Sequence, residues 1–432
     1  MISEEFLCFI WEQGLYRKIG LRTTCGKQLE VLHPGIRNIH AGPDFSNARI
    51  RANSLIWAGN VEIHSCSAQW VKHGHHLDPA YNNVILHVVH QFEGEIRNSN
   101  GYHVYTLILS FPGQFYIRFE DLVGNKMWPA CHERIRDVPA TLQRKWILQL
   151  AKKRLEEKSE PKFSILRDLR LSREETLYRA MAAGFGLPNN TLPFQLLASG
   201  IPMQLLIEMK SSLSDLEAVL FGHSGLISQD GTGAGTYSHM LLENYRRFNS
   251  ALTGKPVPCY FWQFLRLRPA AFPTVRVALF ASLLHLRLPF AQSVLQACSL
   301  PELEQLLRVK ASAFWDSHYF FQKDSPPSPK YLGPHSVQLL IINVVVPFLY
   351  AVGRAERQMS ILHRASDLMH QVEAESNHII KNWINFGIKP RNAFESQGLI
   401  QLHHQYCRQR QCLQCMIGAF ILGATVDEKI QP

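Results

Sequence analysis

Asp44, Glu62 and His64 are the residues of this chain whose types and spacing promise chemistry most directly. Asp44 follows a proline in Gly42-Pro43-Asp44-Phe45, and the other two lie in Val61-Glu62-Ile63-His64. A turn signal, Ala52-Asn53-Ser54, stands between them, with Asp44 nine residues before Asn53 and Glu62 nine after it. In a simple antiparallel hairpin the two carboxylates then lie opposite each other, with Cβ atoms roughly 4.5–5.5 Å apart. His64, two residues on, projects from the same face as Glu62. Two carboxylates and an imidazole suit Mg²⁺ or Mn²⁺. Val61 and Ile63 place this arm inside a sheet, where a buried carboxylate needs a cation or another partner. The plainer alternative is a hairpin in which Asp44 caps a turn and Glu62 lies exposed on an edge.

Two further groups carry ligand chemistry. The first is His73-Gly74-His75-His76-Leu77-Asp78. Its histidines, His73 and His75 foremost, either complete a metal site, contact phosphate, or decorate a polar loop in which Asp78-Pro79 starts a turn. The second is Cys407, Cys412 and Cys415, three cysteines within nine residues. Thiols so spaced suggest zinc or an iron–sulfur cluster. Their fourth ligand is not local, and Cys131, His132, His403 and His404 are the candidates. Three reduced thiols around a helix start are the alternative.

The elements that must position these residues are legible from hydrophobic pattern. Residues 3–18 read as an amphipathic helix, and Leu29–Leu32, Phe45–Arg51, Leu55–His64, Asn83–His90 and Tyr102–Phe111 read as strands. Ser65–Tyr81 reads as a loop with a short helix. From about Pro139 the pattern turns helical: Thr141–Lys158, Arg173–Gly184, Leu213–Phe221, Thr236–Ala251, Phe272–His285, Pro301–Ala313, Val337–Ala351 and Ser360–Phe386. The expected fold is α+β: a mixed-sheet α/β module over residues 1–137, then a large all-helical domain over 138–432.

Charge is divided along the same line. Residues 1–137 hold 13 Lys/Arg and 13 Asp/Glu, so the net charge of +10 falls wholly on the remainder. Those same residues hold 10 of the 20 histidines. Ligands concentrate in front and positive charge behind, which favours a polyanion partner such as nucleic acid. Arginines interleave with aromatics in Trp262-Gln263-Phe264-Leu265-Arg266-Leu267-Arg268-Pro269, a pattern that stacks on bases or covers a core. The acidic start, Met1-Ile2-Ser3-Glu4-Glu5, lacks the basic region of a secretory signal. With nine cysteines this points to a reducing cytoplasm. The longest apolar run, about 337–352, is broken by Gln338, Asn343 and Pro347 and reads as a buried helix, so no membrane span is expected.

Pro43-Asp44 and Glu62-Ile63-His64, with the order helix, strand, strand, strand, helix, strand over about residues 3–90, resemble the PD-(D/E)XK nuclease superfamily. The resemblance implies a metal-dependent phosphodiester hydrolase acting on nucleic acid, or an inactive relative that binds it. His64 stands where that superfamily has its catalytic lysine; Lys72 would then be a displaced lysine, and Glu5 or Glu12 a carboxylate from the first helix. Some of those nucleases carry a cluster on one distant and three C-terminal cysteines, a layout that Cys131 and the terminal trio share in outline. Over its full length the chain is also similar to an uncharacterised bacterial family, through residues 41–45, 59–64, 81–89, 266–269 and 406–415; this implies an intracellular bacterial protein and no activity. A binding or scaffold protein with structural metal sites is the competing class.

Overall fold

The computed structural model describes residues 2–38, 40–168, 172–227 and 235–424. It has a mixed sheet near the N-terminus followed by many helices, an α+β protein as expected. The described chain forms two compact units. One runs to Ile147 and includes Asn385–Gly387 and the segment from Gln401 onward; the other is Leu148–Ile384 with Ile388–Ile400. The first unit thus extends ten residues past the break expected at 137, and it includes the terminal cysteines.

In the first unit, α1 (Glu4–Glu12) opens with Ser3 as its cap, the hydroxyl accepting from the Phe6 N–H at 3.3 Å. Strands β1 (Leu29–His33), β2 (Ile36–Arg37), β3 (Phe45–Ala52) and β4 (Leu55–Cys66) follow. Then come α2 (Gln69–Lys72), β5 (Val84–Gln91), β6 (Thr106–Ile108) and α3 (Gly113–Gly124). The sheet order is β1-β3-β4-β5-β6, with β2 beside β3. β3 and β4 are antiparallel; β4–β5 and β5–β6 are parallel. β4 is therefore an interior strand, and its Val61–Ser65 stretch is buried on both faces.

The hairpin departs from the simple one in two ways that cancel. Its turn is Asn53-Ser54, so Ala52 faces Leu55 and Ala48 faces Gly59. Continued unchanged, that register would set Asp44 opposite Ile63, on the wrong face. A bulge intervenes between Ala48 and Phe45, after which Phe45 faces Val61. Asn47 sits within the bulge in the left-handed region at φ 57°. Asparagine tolerates that conformation better than most residues. The extra residue turns Asp44 to the side of Glu62.

The second unit is mainly helical. Most of α4 (Ala140–Asp168) belongs to it, followed by α5 (Arg173–Phe185), α6 (Thr191–Gly200), α7 (Met203–Met209), α8 (Leu213–Ser224), α9 (Thr236–Phe248) and α10 (Pro273–Arg287). A small hairpin, β7 (His318–Phe320) and β8 (Lys323–Asp324), interrupts the helices. The apolar helix Pro334–Ala355 is long enough to cross a membrane, but 72% of its apolar window is buried within the protein, as befits a core element. The single helix expected at 360–386 is two, Met359–Gln371 and His378–Asn385. Between them Glu373-Ala374-Glu375-Ser376-Asn377 carries no apolar stripe, and Asn377 Oδ1 accepts from the Ile380 N–H at 3.0 Å to begin the second helix.

Asn47→Val forces a β-branched side chain into left-handed backbone and should lower unfolding stability by about 1–2 kcal/mol, whereas Asn47→Gly should leave it nearly unchanged. Urea unfolding followed by circular dichroism checks both.

Candidate metal centre

Asp44 and Glu62 exchange hydrogen bonds across the hairpin. The Asp44 N–H donates to Glu62 Oε2 at 3.0 Å, and the Ile63 N–H donates to Asp44 Oδ2 at 2.9 Å. Glu62 is buried and Asp44 half-buried. The other Glu62 oxygen, Oε1, lies 3.4 Å from His64 Nε2 and 3.2 Å from His75 Nε2. His73 Nδ1 lies 3.2 Å from His64 Nε2. One ligand atom from each of His64, His73 and His75 falls within 4.8 Å of the others.

The last two histidines arrive by a specific chain reversal. α2 ends with His73 as its cap and Gly74 at φ 80°. The Gly74 N–H donates to Val71 O and the His75 N–H to Trp70 O, both at 3.0 Å. This is the left-handed helix stop for which glycine is suited. It brings His73 and His75 to one cluster although they flank the turn. His75 then stacks on Tyr81, ring centroids 3.8 Å apart, with Trp70 at its edge.

α1 supplies a carboxylate, but neither Glu5 nor Glu12, which are exposed. Glu4 is the one turned inward: Gln69 Nε2 donates to Glu4 Oε1 at 2.9 Å, while Gln69 Oε1 accepts from Ser65 and Cys66. Positions 4, 7, 8 and 11 share a helix face. Leu7, Cys8 and Trp11 are buried, so that stripe was the available signal for Glu4. Lys72 is exposed at the end of α2, and no hydrogen bond or ion pair joins it to Asp44 or Glu62 among the described residues.

Burial sets the charge states. It pushes Glu62 up to about 8, aided by the charges of Asp44 and Glu4 and opposed by the Asp44 N–H. Burial also raises Asp44 and Glu4. It pushes His64 down to about 2 and His87 down to about 3, so both rings are neutral. His64 Nδ1 lies 2.8 Å from His87 Nε2. A ligand imidazole is oriented by such a partner on its other nitrogen. His87 Nδ1 is buried without a partner among the described residues. A proton is therefore better held on His87 Nε2, facing His64, and binding an ion at His64 Nε2 must shift it.

The donor set fits a divalent cation: imidazole nitrogens, a carboxyl oxygen at their edge, and neighbouring acids whose charges a cation would relieve. Three nitrogens favour a first-row transition ion; Mg²⁺, which demands oxygen ligands, fits them poorly. Of the five ligands expected, Glu62, His64, His73 and His75 come together, while Asp44 exchanges hydrogen bonds with the strand that carries Glu62.

The four cysteines share one neighbourhood of the first unit, although His64, His73 and His75 are the group among the described residues whose ligand atoms stand close enough to hold one ion. Cys131, Cys407, Cys412 and Cys415 lie within electrostatic reach of one another. Burial followed by the neighbouring sulfurs pushes Cys131 up to about 12, and burial with Cys415 pushes Cys412 up to about 11. The helix Met416–Ile421 packs on the turn Ile135–Asp137, four residues past Cys131. Gly418 permits this winding, since a Cβ there would meet Cys412 O at 2.1 Å. Cys415 stands at the start of the helix Met416–Ile421, in the neighbourhood of Trp146, and Cys407 lies in that of Trp128. His403 packs against Trp128, at 4.6 Å between ring centroids, and His132 beside Phe386.

Residues 4–378 match a family described as Protein of unknown function (DUF2851). The chain belongs to that family. The matched residues take in α1, both hairpin arms, the histidine turn and Cys131, and stop before the three terminal cysteines. No curated protein and no solved structure matches the chain.

Since Glu62 holds a proton below about pH 8, an ion must displace it. Mn²⁺ affinity should therefore climb by about tenfold per pH unit up to that point, with about one proton released per ion. Titration calorimetry in buffers of differing ionisation enthalpy reads both; Glu62→Gln should abolish the release.

Proposed function

We propose that this chain is a metal-dependent phosphodiester hydrolase acting on nucleic acid. The observation that carries the reading is the convergence of Glu62 with His64, His73 and His75 beside the Asp44 brace. In support stand the order of elements around that point and the chain's excess of positive charge, +10 in all. His64, His73, His75 and Glu62 would hold the ion. A bound divalent cation would neutralise phosphate charge and lower the pKa of a water. Asp44, whose carboxyl burial raises, accepts the proton of the attacking water. The water oxygen bonds to phosphorus as the bond to the leaving sugar oxygen breaks, and that oxygen takes up a proton. Lys72, exposed on the rim, offers its ammonium to a flanking phosphate.

The four cysteines are proposed as a second centre, holding zinc or an iron–sulfur cluster. Their shared neighbourhood, with Cys415 buried and the other three half-buried, supports this, because thiolates brought together out of water need a cation to offset their charge. A second reading of the front site, a structural ion in a binding or scaffold protein, is favoured by the burial of His64 and the histidine in place of a lysine beside Glu62.

Cleavage of single-stranded and supercoiled DNA and of RNA with Mn²⁺ separates these readings. Hydrolysis should appear and fall by at least about a hundredfold in Glu62→Gln and His64→Asn, beyond what loss of an outer hydrogen-bond partner usually costs. Equal products from wild type and variants would remove the enzyme, and a drop in melting temperature on chelation without any cleavage would favour the structural ion. For the second centre, Cys131→Ser should lower bound zinc or iron as much as Cys412→Ser does, measured by elemental analysis of the purified protein; unchanged metal in both would remove it.

A further inference from the structure

Between Glu243 and Glu302 lie 58 residues without one Asp or Glu, in a chain that carries 35 of them. The same stretch holds seven Lys/Arg: Arg246, Arg247, Lys255, Arg266, Arg268, Arg276 and Arg287. Within it, the segment from Val257 to Phe272 exposes large side chains that a core would ordinarily claim. Tyr260 is 78% exposed and Leu265 81%. Phe261 is also exposed, its ring 5.0 Å from that of Tyr260 between centroids.

This exposure does not come from a loose loop. Trp262, the next residue, is buried: its indole N–H donates to Ser224 O at 2.7 Å and its ring meets Phe194 edge-on. Buried Asn190 clasps Gln263 by both backbone groups, accepting from its N–H at 2.7 Å and donating to its carbonyl at 2.9 Å. Phe264 packs against Phe272 and Phe320. A turn closed by the Leu267 N–H on Phe264 O then carries Leu265 and Arg266 at its tip. Arg266 holds left-handed backbone at φ 61°, a conformation that costs a non-glycine residue free energy and persists where the surrounding structure fixes it. Arg266 and Arg268 are exposed and join no ion pair among the described residues.

We infer that this anchored loop is a docking platform for single-stranded nucleic acid, with Tyr260 and Phe261 stacking on bases and Lys255, Arg266 and Arg268 meeting phosphates. Exposed aromatic rings in the same short segment as exposed cations are the complement of an unpaired strand, whose bases offer π faces and whose backbone offers charge. A duplex hides those faces in its own stack. An acidic protein would use the cations but leave the rings without purpose. The inference extends the reading proposed above to a second site and concerns binding alone.

The test is fluorescence anisotropy of labelled oligo-dT and oligo-rU with the full chain in EDTA, so that no hydrolysis intervenes. Tyr260→Ala should weaken binding by about fivefold or more, and Tyr260→Phe should preserve it. Arg266→Ala with Arg268→Ala should reduce the slope of log affinity against log salt by about 1.4, at about 0.7 per phosphate contact. Thermal unfolding of each variant should match the parent, because these side chains are exposed. Unchanged affinity in both the tyrosine and arginine variants would overturn the inference. So would duplex DNA or polyglutamate binding as tightly as the single strand. Absence of metal-dependent cleavage would leave a positive binding result intact, and indifference to Tyr260 would leave the metal site intact, so the two readings fail separately.

Discussion

Two backbone-to-carboxylate hydrogen bonds between β3 and β4 hold the front site together. The Asp44 N–H reaches Glu62, and the Ile63 N–H reaches Asp44. Each carboxylate thereby fixes the strand that carries the other. The exchange is possible because the bulge at Asn47 inserts one residue and turns Asp44 to the proper face. With Glu62 so held, its remaining oxygen points at His64 and His75. The interior position of β4 removes water from the surroundings, which keeps His64 neutral and makes the acids reluctant to ionise.

The site is built from three different kinds of local structure. A strand supplies Glu62 and His64 by its period of two, the turn after α2 supplies His73 and His75 through a left-handed glycine, and α1 brings Glu4 by a helical stripe. Aromatic walls fix the imidazoles, with Tyr81 stacked on His75 and Trp70 beside His75 and His87. Such packing costs the rings little mobility that an ion would otherwise have to remove. The result is a nitrogen-rich donor set backed by carboxylates that brace and tune it.

Much of this was legible in the residues and some of it was not. Val61 and Ile63 correctly marked β4 as interior, and the apolar run from Val84 marked β5. The pairing of Asp44 with Glu62 followed from counting about Asn53, yet the turn lies half a residue later and a bulge restores the count. Bulges leave no periodic trace, so that agreement came from two offsetting features. Glu4 is hard to tell from Glu5 and Glu12 by pattern, because burial of every residue from Phe6 to Trp11 blurs the apolar side of the helix. Cys131 was one of four candidates to stand with the terminal thiols, and its convergence with them spans more than 270 residues of chain, a distance over which sequence pattern carries no register. The helix break after Gln371 was visible only as missing periodicity within a polar stretch.

The central claim is that His64, His73 and His75 surround one cation together with Glu62. X-ray absorption spectroscopy of the protein loaded with one Mn²⁺ or Zn²⁺ reads that shell directly. Scattering from three imidazole rings plus oxygen is expected, reduced to two rings in His73→Asn. A shell of oxygen alone, or a spectrum unaltered by the loss of His73, would contradict it.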